Sequence, residues 1–290
     1  VGAIVDKAIS RLDHILLIDS AMLAQGLLRI CFVPVLNYLL RTSRLETTRP
    51  FTERWDNAIL AMAKRISRLS PDETTFSGSL PDKQMRLPCK YAGMGLTSAQ
   101  AVVAHARMAS LADSFRYAKA SCIGDRFVYG LYPLLKLWAL EGTGHHFLDS
   151  FHDLWAATAP ARESVISKDP VPYRLAGHLV SVPAYPLDVF GVGRKLQQRL
   201  CHADAASEFD RMTAPPAPDD KPACMMRATL LSGNQKGAKG FWMVLPTDEH
   251  LSLTNEEFFI YVRLRLSLPF TTRDIGRDCA RCGASFDTNS

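Results

Sequence analysis

Residues 52–69 have the sequence TERWDNAILAMAKRISRL, in which the apolar positions recur at intervals of 4, 3, 4 and 3. This spacing places them on one face of a helix that buries that face against a core. The apolar stripe consists of Trp55, Ile59, Met62, Ile66 and Leu69. The hydroxyl of Thr52 can accept a hydrogen bond from a free N–H at the start of a helix, so we expect the helix to begin after it.

Two further helices are predicted, one before and one after this helix in the sequence. Each is indicated by a capping residue and by the segment that follows it. Ser20 can cap a helix through 21–41, in which Pro34 should force a kink or a break because proline has no N–H to donate. Ser98 can cap the alanine-rich segment 98–120, whose small side chains allow another helix to pack closely. Three more helices are predicted at 129–141, 147–158 and 192–212.

The patterns after residue 212 predict a linker and a small C-terminal part. Residues 213–222 contain four prolines and two aspartates, a composition typical of an extended connection. Residues 241–245 are compatible with a short strand. Thr254 and Glu257 form a capping box, S/T-x-x-E, that opens a helix ending at Pro269.

We therefore expect a mainly α protein with consecutive parts. A helical bundle occupies residues 1–120, and a helical connector with an irregular stretch at 160–186 follows over 121–212. The linker 213–222 leads to an α-rich C-terminal part at 223–290.

Composition indicates a folded protein of a reducing compartment inside the cell. The chain has 290 residues, 47% hydrophobic and 22% charged, which is enough to bury a core of domain size. Its seven cysteines are odd in number and scattered, unlike a secreted disulfide framework. Cys31 and Cys122 are expected to be small buried apolar side chains. Because Asp19 and Arg29 interrupt the most apolar stretch, no membrane partner is expected.

No set of reactive side chains in the sequence points to catalysis. The G-x-S-x-G, H-E-x-x-H and Walker A motifs are missing, and no pair resembles the adjacent aspartates that hold two metal ions in a polymerase. The net charge is +5, and residues 1–100 carry +4 of it, with 13 Lys and Arg against 9 Asp and Glu. This small excess is compatible with a nucleic-acid partner.

Three segments occur in a recognisable order: AQGLLRICFVPVLNYLLR at 24–41, FTERWDNAI at 51–59, and LPCKYAGMGLTSAQAVVAHARMASL at 87–111. They resemble the region downstream of the polymerase core in non-LTR retrotransposon reverse transcriptases. In that family one helix ends in an aromatic residue and an arginine, here Tyr38 and Arg41. The next helix opens near an aromatic residue and an acid, here Trp55 and Asp56.

The glycine-rich turn of the third segment is the most recognisable part of the resemblance. The family has Gly-Gly-Leu-Gly after a leucine-proline pair, and this chain has Gly93-Met-Gly95-Leu96. Ala92 stands where the first glycine of the pair is usual, which is a mild departure. The alanine-serine pair of the following helix is Ala109-Ser110.

The C-terminal part resembles the same family. FWMVLPTDEHLSLTNEEFFIYVRLRLSLPF at 241–270 is similar to its tryptophan, proline and Arg-x-Arg-Leu segment. Cys279-x-x-Cys282-Gly283, with Asp287 after it, is similar to its zinc motif, in which a histidine and a last cysteine follow. Two thiolates do not complete the tetrahedral zinc site, so we expect zinc in the intact parent and not in this chain.

The resemblance implies a fragment of a retrotransposon RNA-directed DNA polymerase, with a thumb-like bundle first, a connector next and the start of a zinc motif last. The catalytic Tyr/Phe-x-Asp-Asp loop of the family would lie upstream of Val1, so this chain is not expected to polymerise DNA. The implied partners are template-primer or target nucleic acid and the upstream polymerase core. The implied location is the nucleus.

A thumb grips a duplex by its phosphates, for which arginines and lysines on a rigid helix suffice. Arg54, Lys64, Arg65 and Arg68 fall within about 100° of one another on the helix over 52–69, away from its apolar stripe. With Arg41 they are the predicted phosphate contacts, and a solvated surface without a partner is the alternative for such a charge run. A helical interaction scaffold without a nucleic-acid role is the alternative for the whole chain.

Overall fold

The computed structural model is mainly helical, as the sequence predicted. It describes the following residues: 1–43, 45–69, 80–120, 157–158, 161, 173–175, 178–180, 195–217, 219–235, 238, 242 and 252–268. The predicted helices at 129–141 and, apart from its last two residues, 147–158 lie outside these ranges, as do Cys122 and the zinc motif with Cys279 and Cys282.

Among its described residues, the first half of the chain contains six α-helices: α1 Gly2–Ser10, α2 Ala21–Leu27, α3 Asn37–Thr42, α4 Leu45–Ile66, α5 Leu80–Arg86 and α6 Ala99–Ala120. Short 3₁₀ helices lie at Leu12–Leu17, Val33–Leu36 and Cys89–Tyr91, and a π-helical turn at Leu28–Phe32. The second half has a small antiparallel hairpin of β1 Tyr173–Leu175 and β2 His178–Val180, then α7 Leu196–Met212, α8 Lys221–Gly233 and α9 Asn255–Arg265.

The chain divides into two compact units made of segments that are not consecutive. Unit 1 contains Val1–Gly2, Leu36–Arg54 and Ser98–Ser207. Unit 2 contains Ala3–Val35, Trp55–Thr97 and Glu208–Ser290. Each unit is discontinuous in the sequence, because segments that are far apart along the chain pack together within it.

The helix predicted over 21–41 begins at its cap and changes geometry near the proline. Ser20 Oγ accepts a hydrogen bond from the N–H of Leu23 at 3.3 Å. The α-helix then widens into the π-turn and tightens into the 3₁₀ turn that holds Pro34, because the proline ring would strike the carbonyl of Ile30 in a regular α-helix. The stretch Ala21–Thr42, which contains an 18-residue window with a mean hydropathy of 1.6, meets the length and composition of a membrane span, a test that helices in protein cores also meet.

Helix α4 confirms the apolar stripe but corrects its predicted start. Trp55, Ile59, Met62, Ile66 and Leu69 are all buried, with at most 6% exposed. The helix begins seven residues before Thr52, whose hydroxyl donates to the carbonyl of Arg49 from inside the helix instead of capping it. The helix includes Pro50 in its second turn, where the missing N–H removes one backbone hydrogen bond of the helix.

Unit 1 is built around the alanine-rich helix α6. Its predicted cap is confirmed, since Ser98 Oγ accepts from the N–H of Ala101 at 3.2 Å. Residues 102–106 are buried in succession, which means that more than one face of α6 is covered. Helix α3 packs against it, as its small side chains allow. The hairpin of β1 and β2 corrects the expectation of an irregular stretch at 160–186.

The C-terminal part differs from the sequence prediction in three places. The predicted linker ends early, because Asp220 caps helix α8 by accepting from the N–H of Ala223 at 3.0 Å. Trp242, which the predicted strand 241–245 includes, is helical. The capping box of Thr254 and Glu257 is confirmed, but α9 ends at Arg265, four residues before the predicted end.

A left-handed residue follows the end of α9. Ser267, two residues after the end of α9, is left-handed with φ 54°, and the N–H of Leu268 closes the helix on the carbonyl of Arg263 at 2.9 Å.

Cys31 is exposed, so the prediction of a buried cysteine there is wrong. It lies in the π-turn Leu28–Phe32, in which Leu28 is the buried residue.

Candidate nucleic-acid interface and the turn behind it

Arg65 and Arg68 lie at the C-terminal end of α4 in unit 2, and both are exposed. Arg65 Nη1 lies 2.8 Å from Asp13 Oδ1, with 58% and 69% of the two side chains exposed. An ion pair this open to solvent is worth little, and a phosphate can replace its carboxylate.

Arg68 adopts an unusual backbone conformation that orients its side chain. It is left-handed with φ 52° directly after α4, and the N–H of Leu69 donates to the carbonyl of Lys64 at 2.9 Å, which closes the helix end. Its guanidinium lies 4.4 Å above the ring of Phe259 in α9. Stacking of this kind uses the face of the guanidinium and leaves its N–H edge to bind an oxyanion.

The other predicted residue of α4 in unit 2 is engaged within the fold. Lys64 Nζ lies 2.9 Å from Asp82 Oδ1 of α5, and both side chains are largely covered. A second pair joins the same two helices, since Arg86 Nη1 lies 3.6 Å from the buried carboxylate of Asp56. The ammonium of Lys64 therefore holds α5 on α4.

Arg41 and Arg54 belong to unit 1, and their side chains differ in how far they are exposed. Arg41 Nη2 lies 2.7 Å from Asp113 Oδ2 of α6, and its Nη1 donates to Gln197 Oε1 of α7 at 2.9 Å. Arg41 thus bridges three helices through one guanidinium. Arg54 is exposed on α4.

Behind the interface, the glycine-rich turn at 87–96 has a backbone that only small residues tolerate. A Cβ on Gly93 would lie 1.9 Å from the carbonyl oxygen of Leu87, and Gly95 has φ 75°. Ala92 is left-handed with φ 59°. Its conformation is one that glycine adopts at less cost.

The buried guanidinium of Arg265 binds this turn. Its Nη2 donates to the carbonyl of Gly93 at 2.9 Å and to that of Cys89 at 3.3 Å, and its Nε donates to Gly93 at 3.3 Å. The indole of Trp242 lies 5.4 Å from the guanidinium. Burial lowers the pKa of Arg265 from its ordinary value.

Gln84 of α5 reinforces the same contact, since its amide donates to the carbonyl oxygens of Ala92 and Arg265. The sequence pattern singled out the Arg-x-Arg-Leu segment only by resemblance. The available signal was the position of Arg265, which continues the spacing of Phe258 and Val262 on the buried face of α9.

Unit 1 contains a polar cluster that sequence reasoning missed. His105 of α6 is buried, its Nδ1 lies 3.9 Å from Cys201 Sγ, and its Nε2 lies 3.0 Å from Asp204 Oδ2 of α7. The Asp204 contact is close but not aligned as a hydrogen bond, so we treat it as electrostatic.

The thiol, imidazole and carboxylate of this cluster follow the order of a nucleophile, a base and an orienting acid. Burial, with a smaller effect of Asp204, raises the pKa of Cys201 to about 12. The thiol is therefore protonated at neutral pH and is a poor nucleophile. The cluster serves to join α6 to α7. Its members are about 100 residues apart, so no local pattern could have revealed it.

Within the described part of the chain, no group of three or more His, Cys, Asp or Glu side chains is arranged to hold a metal ion. Comparison of the chain with protein-family models, with curated proteins and with solved structures gave no significant match.

Proposed function

We propose that the chain is a non-catalytic, nucleic-acid-contacting part of a retrotransposon RNA-directed DNA polymerase. Its helical bundle acts as a thumb that holds template-primer or target nucleic acid by the phosphates. Its partners are that nucleic acid and the polymerase core of the parent protein. Zinc belongs to the completed motif of the parent.

The observation that carries the proposal is the contact between Arg265 and the turn at 87–96. The resemblance to reverse transcriptases rests on motifs scattered along the chain. If each match arose by chance, nothing would require two of them to meet. Arg265 belongs to the Arg-x-Arg-Leu motif, and its guanidinium donates to two carbonyls of the glycine-rich motif, so these segments depend on each other.

Some of the predicted phosphate contacts are better supported than others. Arg65 and Arg68 are exposed at one helix end, with one held by an exchangeable ion pair and the other by an aromatic ring. Both can turn donors to a phosphate without disturbing the core. Lys64 and Arg41 would first have to release the carboxylates of Asp82 and Asp113.

The same ion pairs favour the second candidate, a helical scaffold without a nucleic-acid role. In that case the basic residues serve the fold: Lys64 and Arg41 link helices, and cations in the last turn of α4 balance the partial negative charge of the helix end.

Binding and polymerisation by the full chain separate the candidates. We expect a labelled RNA–DNA primer-template to bind with an affinity that falls steeply as salt rises, because phosphate contacts release counterions. With nucleotides and Mg²⁺ or Mn²⁺ added, no primer extension is expected. Absence of salt-dependent binding would favour the scaffold, and extension that depends on this chain would overturn the non-catalytic assignment.

A further inference from the structure

Gln25 is a buried polar side chain whose amide has no hydrogen-bond partner within the described part of the chain. It lies in α2 of unit 2 with 1% of its surface exposed. Neither Oε1 nor Nε2 has a partner among the residues that the structure describes. A buried amide left unpaired costs free energy comparable to a lost hydrogen bond for each group, so native proteins rarely tolerate it.

The amide lines a small cavity with one charged neighbour. Arg29, one helical turn further along, also lines it, and the remaining wall is formed by Met22, Gly26, Met94, Trp242 and Phe258. The guanidinium of Arg29 donates to Cys89 Sγ at 3.3 Å through Nη1, and thiol sulfur is a weak acceptor. An acceptor stronger than sulfur in the cavity would therefore give the Arg29 guanidinium a better hydrogen bond.

Size and hydrogen-bond chemistry together restrict what can occupy this space. The side chains leave room for about one water molecule. The occupant must donate to Gln25 Oε1 and accept from Gln25 Nε2 or from Arg29. A halide only accepts and an ammonium ion only donates, whereas water does both.

We propose that a single structural water is bound between the Gln25 amide and the Arg29 guanidinium. The water satisfies the buried amide and holds Arg29 in position along the glycine-rich turn, where its Cδ lies 2.7 Å from the place that a Cβ on Gly95 would occupy. Through this water, α2 is linked to the turn at 87–96, which Arg265 of α9 also binds. The proposal holds whether or not the chain binds nucleic acid.

A crystal structure of the full chain, at a resolution that shows ordered water, tests the proposal directly. We expect one peak of solvent density within about 3.2 Å of a Gln25 amide atom and of an Arg29 nitrogen. An empty cavity, a side chain that fills it, or a larger occupant such as phosphate would overturn the proposal.

The Gln25→Met variant provides a test in solution. If a water molecule is hydrogen-bonded to the Gln25 amide, the variant loses these hydrogen bonds. Its unfolding equilibrium constant should then equal that of the parent or exceed it by up to about tenfold. If the amide is unpaired, the change relieves its burial and the constant falls, which contradicts the proposal. Gln198→Met, at an exposed position of α7, is the matched control and should leave the constant within about twofold.

Discussion

Arg265 Nη2 donates to the carbonyl oxygen of Gly93 at 2.9 Å, although the two residues are 172 positions apart in the sequence. The guanidinium is buried and burial lowers its pKa, while the carbonyl oxygens of Gly93 and Cys89 accept hydrogen bonds from it. The shape of the turn and the position of helix α9 are therefore coupled through one side chain.

This coupling predicts that Arg265→Met unfolds more easily than the parent. The variant leaves the buried carbonyl of Gly93 without two of its donors, which should cost about 1–3 kcal/mol in the free energy of unfolding. Arg265→Lys should not rescue it, because an ammonium cannot reproduce the planar fork that reaches Gly93 and Cys89 together. Urea denaturation measures the loss.

Leu264→Ala is the control for Arg265, since its exposed side chain lies on the same helix, and it should change stability by no more than about 0.5 kcal/mol. Equal stability of Arg265→Met and the parent would show that the clamp does not stabilise the fold.

The turn itself predicts unequal losses of stability at two neighbouring positions. In Gly93→Ala, the new Cβ would meet the backbone of Leu87, so the turn must move, and we expect a loss of about 3 kcal/mol. In Ala92→Gly, the left-handed backbone is relieved while the unfolded chain gains freedom, so the net change should be within about 1 kcal/mol. Thermal melts of both variants test this, and similar losses in the two would contradict it.

The proposed phosphate contacts predict a change in salt dependence. Each contact adds about 0.9 to the slope of log affinity against log salt on B-form DNA, so the Arg65→Ala, Arg68→Ala double variant should flatten the slope by roughly 1–2 units. Fluorescence anisotropy with a labelled duplex measures the slope. An RNA–DNA hybrid should follow the same trend with a somewhat different coefficient.

The matched control for this prediction is Arg211→Ala, Lys221→Ala, which removes two exposed cations elsewhere in unit 2. It should retain the parental slope. Equal slopes for both double variants would mean that the end of α4 does not contact phosphates.

Alkaline titration should expose the buried thiol of unit 1. Because the pKa of Cys201 is raised to about 12 in the folded state, its contribution to stability is present below the unfolded pKa of 9.0 and is lost as pH rises toward 12. The free energy of unfolding of the parent should therefore fall relative to Cys201→Ala over this range, by up to about 4 kcal/mol.

Cys224→Ala is the control for the thiol titration, because Cys224 is exposed. Its stability should follow that of the parent at every pH. If Cys201→Ala also follows the parent from pH 9 to 12, the thiol is not held neutral by burial.

Zinc content tests the expectation about Cys279 and Cys282. Two thiolates leave two tetrahedral positions to water, so we expect the dialysed chain to retain much less than one zinc per molecule. Extension of the chain with a segment that supplies a histidine and a cysteine should raise the ratio to about one. Stoichiometric zinc in the unextended chain, lost on Cys282→Ser, would show that other residues of this chain complete the site.

Much of the helical framework could be predicted because its causes are local. The apolar stripe of α4 and the caps at Ser20, Ser98 and Thr254 depend on residues within one or two turns of each other. The structure confirms the burial of the stripe and all three of these caps. Thr52 is an exception. Its hydroxyl suits a helix start, but residues 45–51 are already helical, so the helix begins before it.

The candidate interface could be predicted only in part. The spacing of basic residues on α4 was visible in the sequence, but their neighbours were not. Lys64 meets Asp82 and Arg65 meets Asp13 because other segments fold back on the helix. Whether a cation is available to a ligand or used within the fold depends on these distant partners.

The sequence by itself determined the helices that follow Ser20, Ser98 and Thr254 and the apolar face of α4, since hydrogen bonds and side-chain periodicity within a helix involve residues three or four apart. The tertiary structure alone decided that Arg265 binds the turn at Gly93, that His105 lies between Cys201 and Asp204, and that Gln25 is buried with no partner among the described residues. Burial of a polar group is tolerated only where distant segments bring it a partner or enclose one with it, and neither condition is visible in the local sequence.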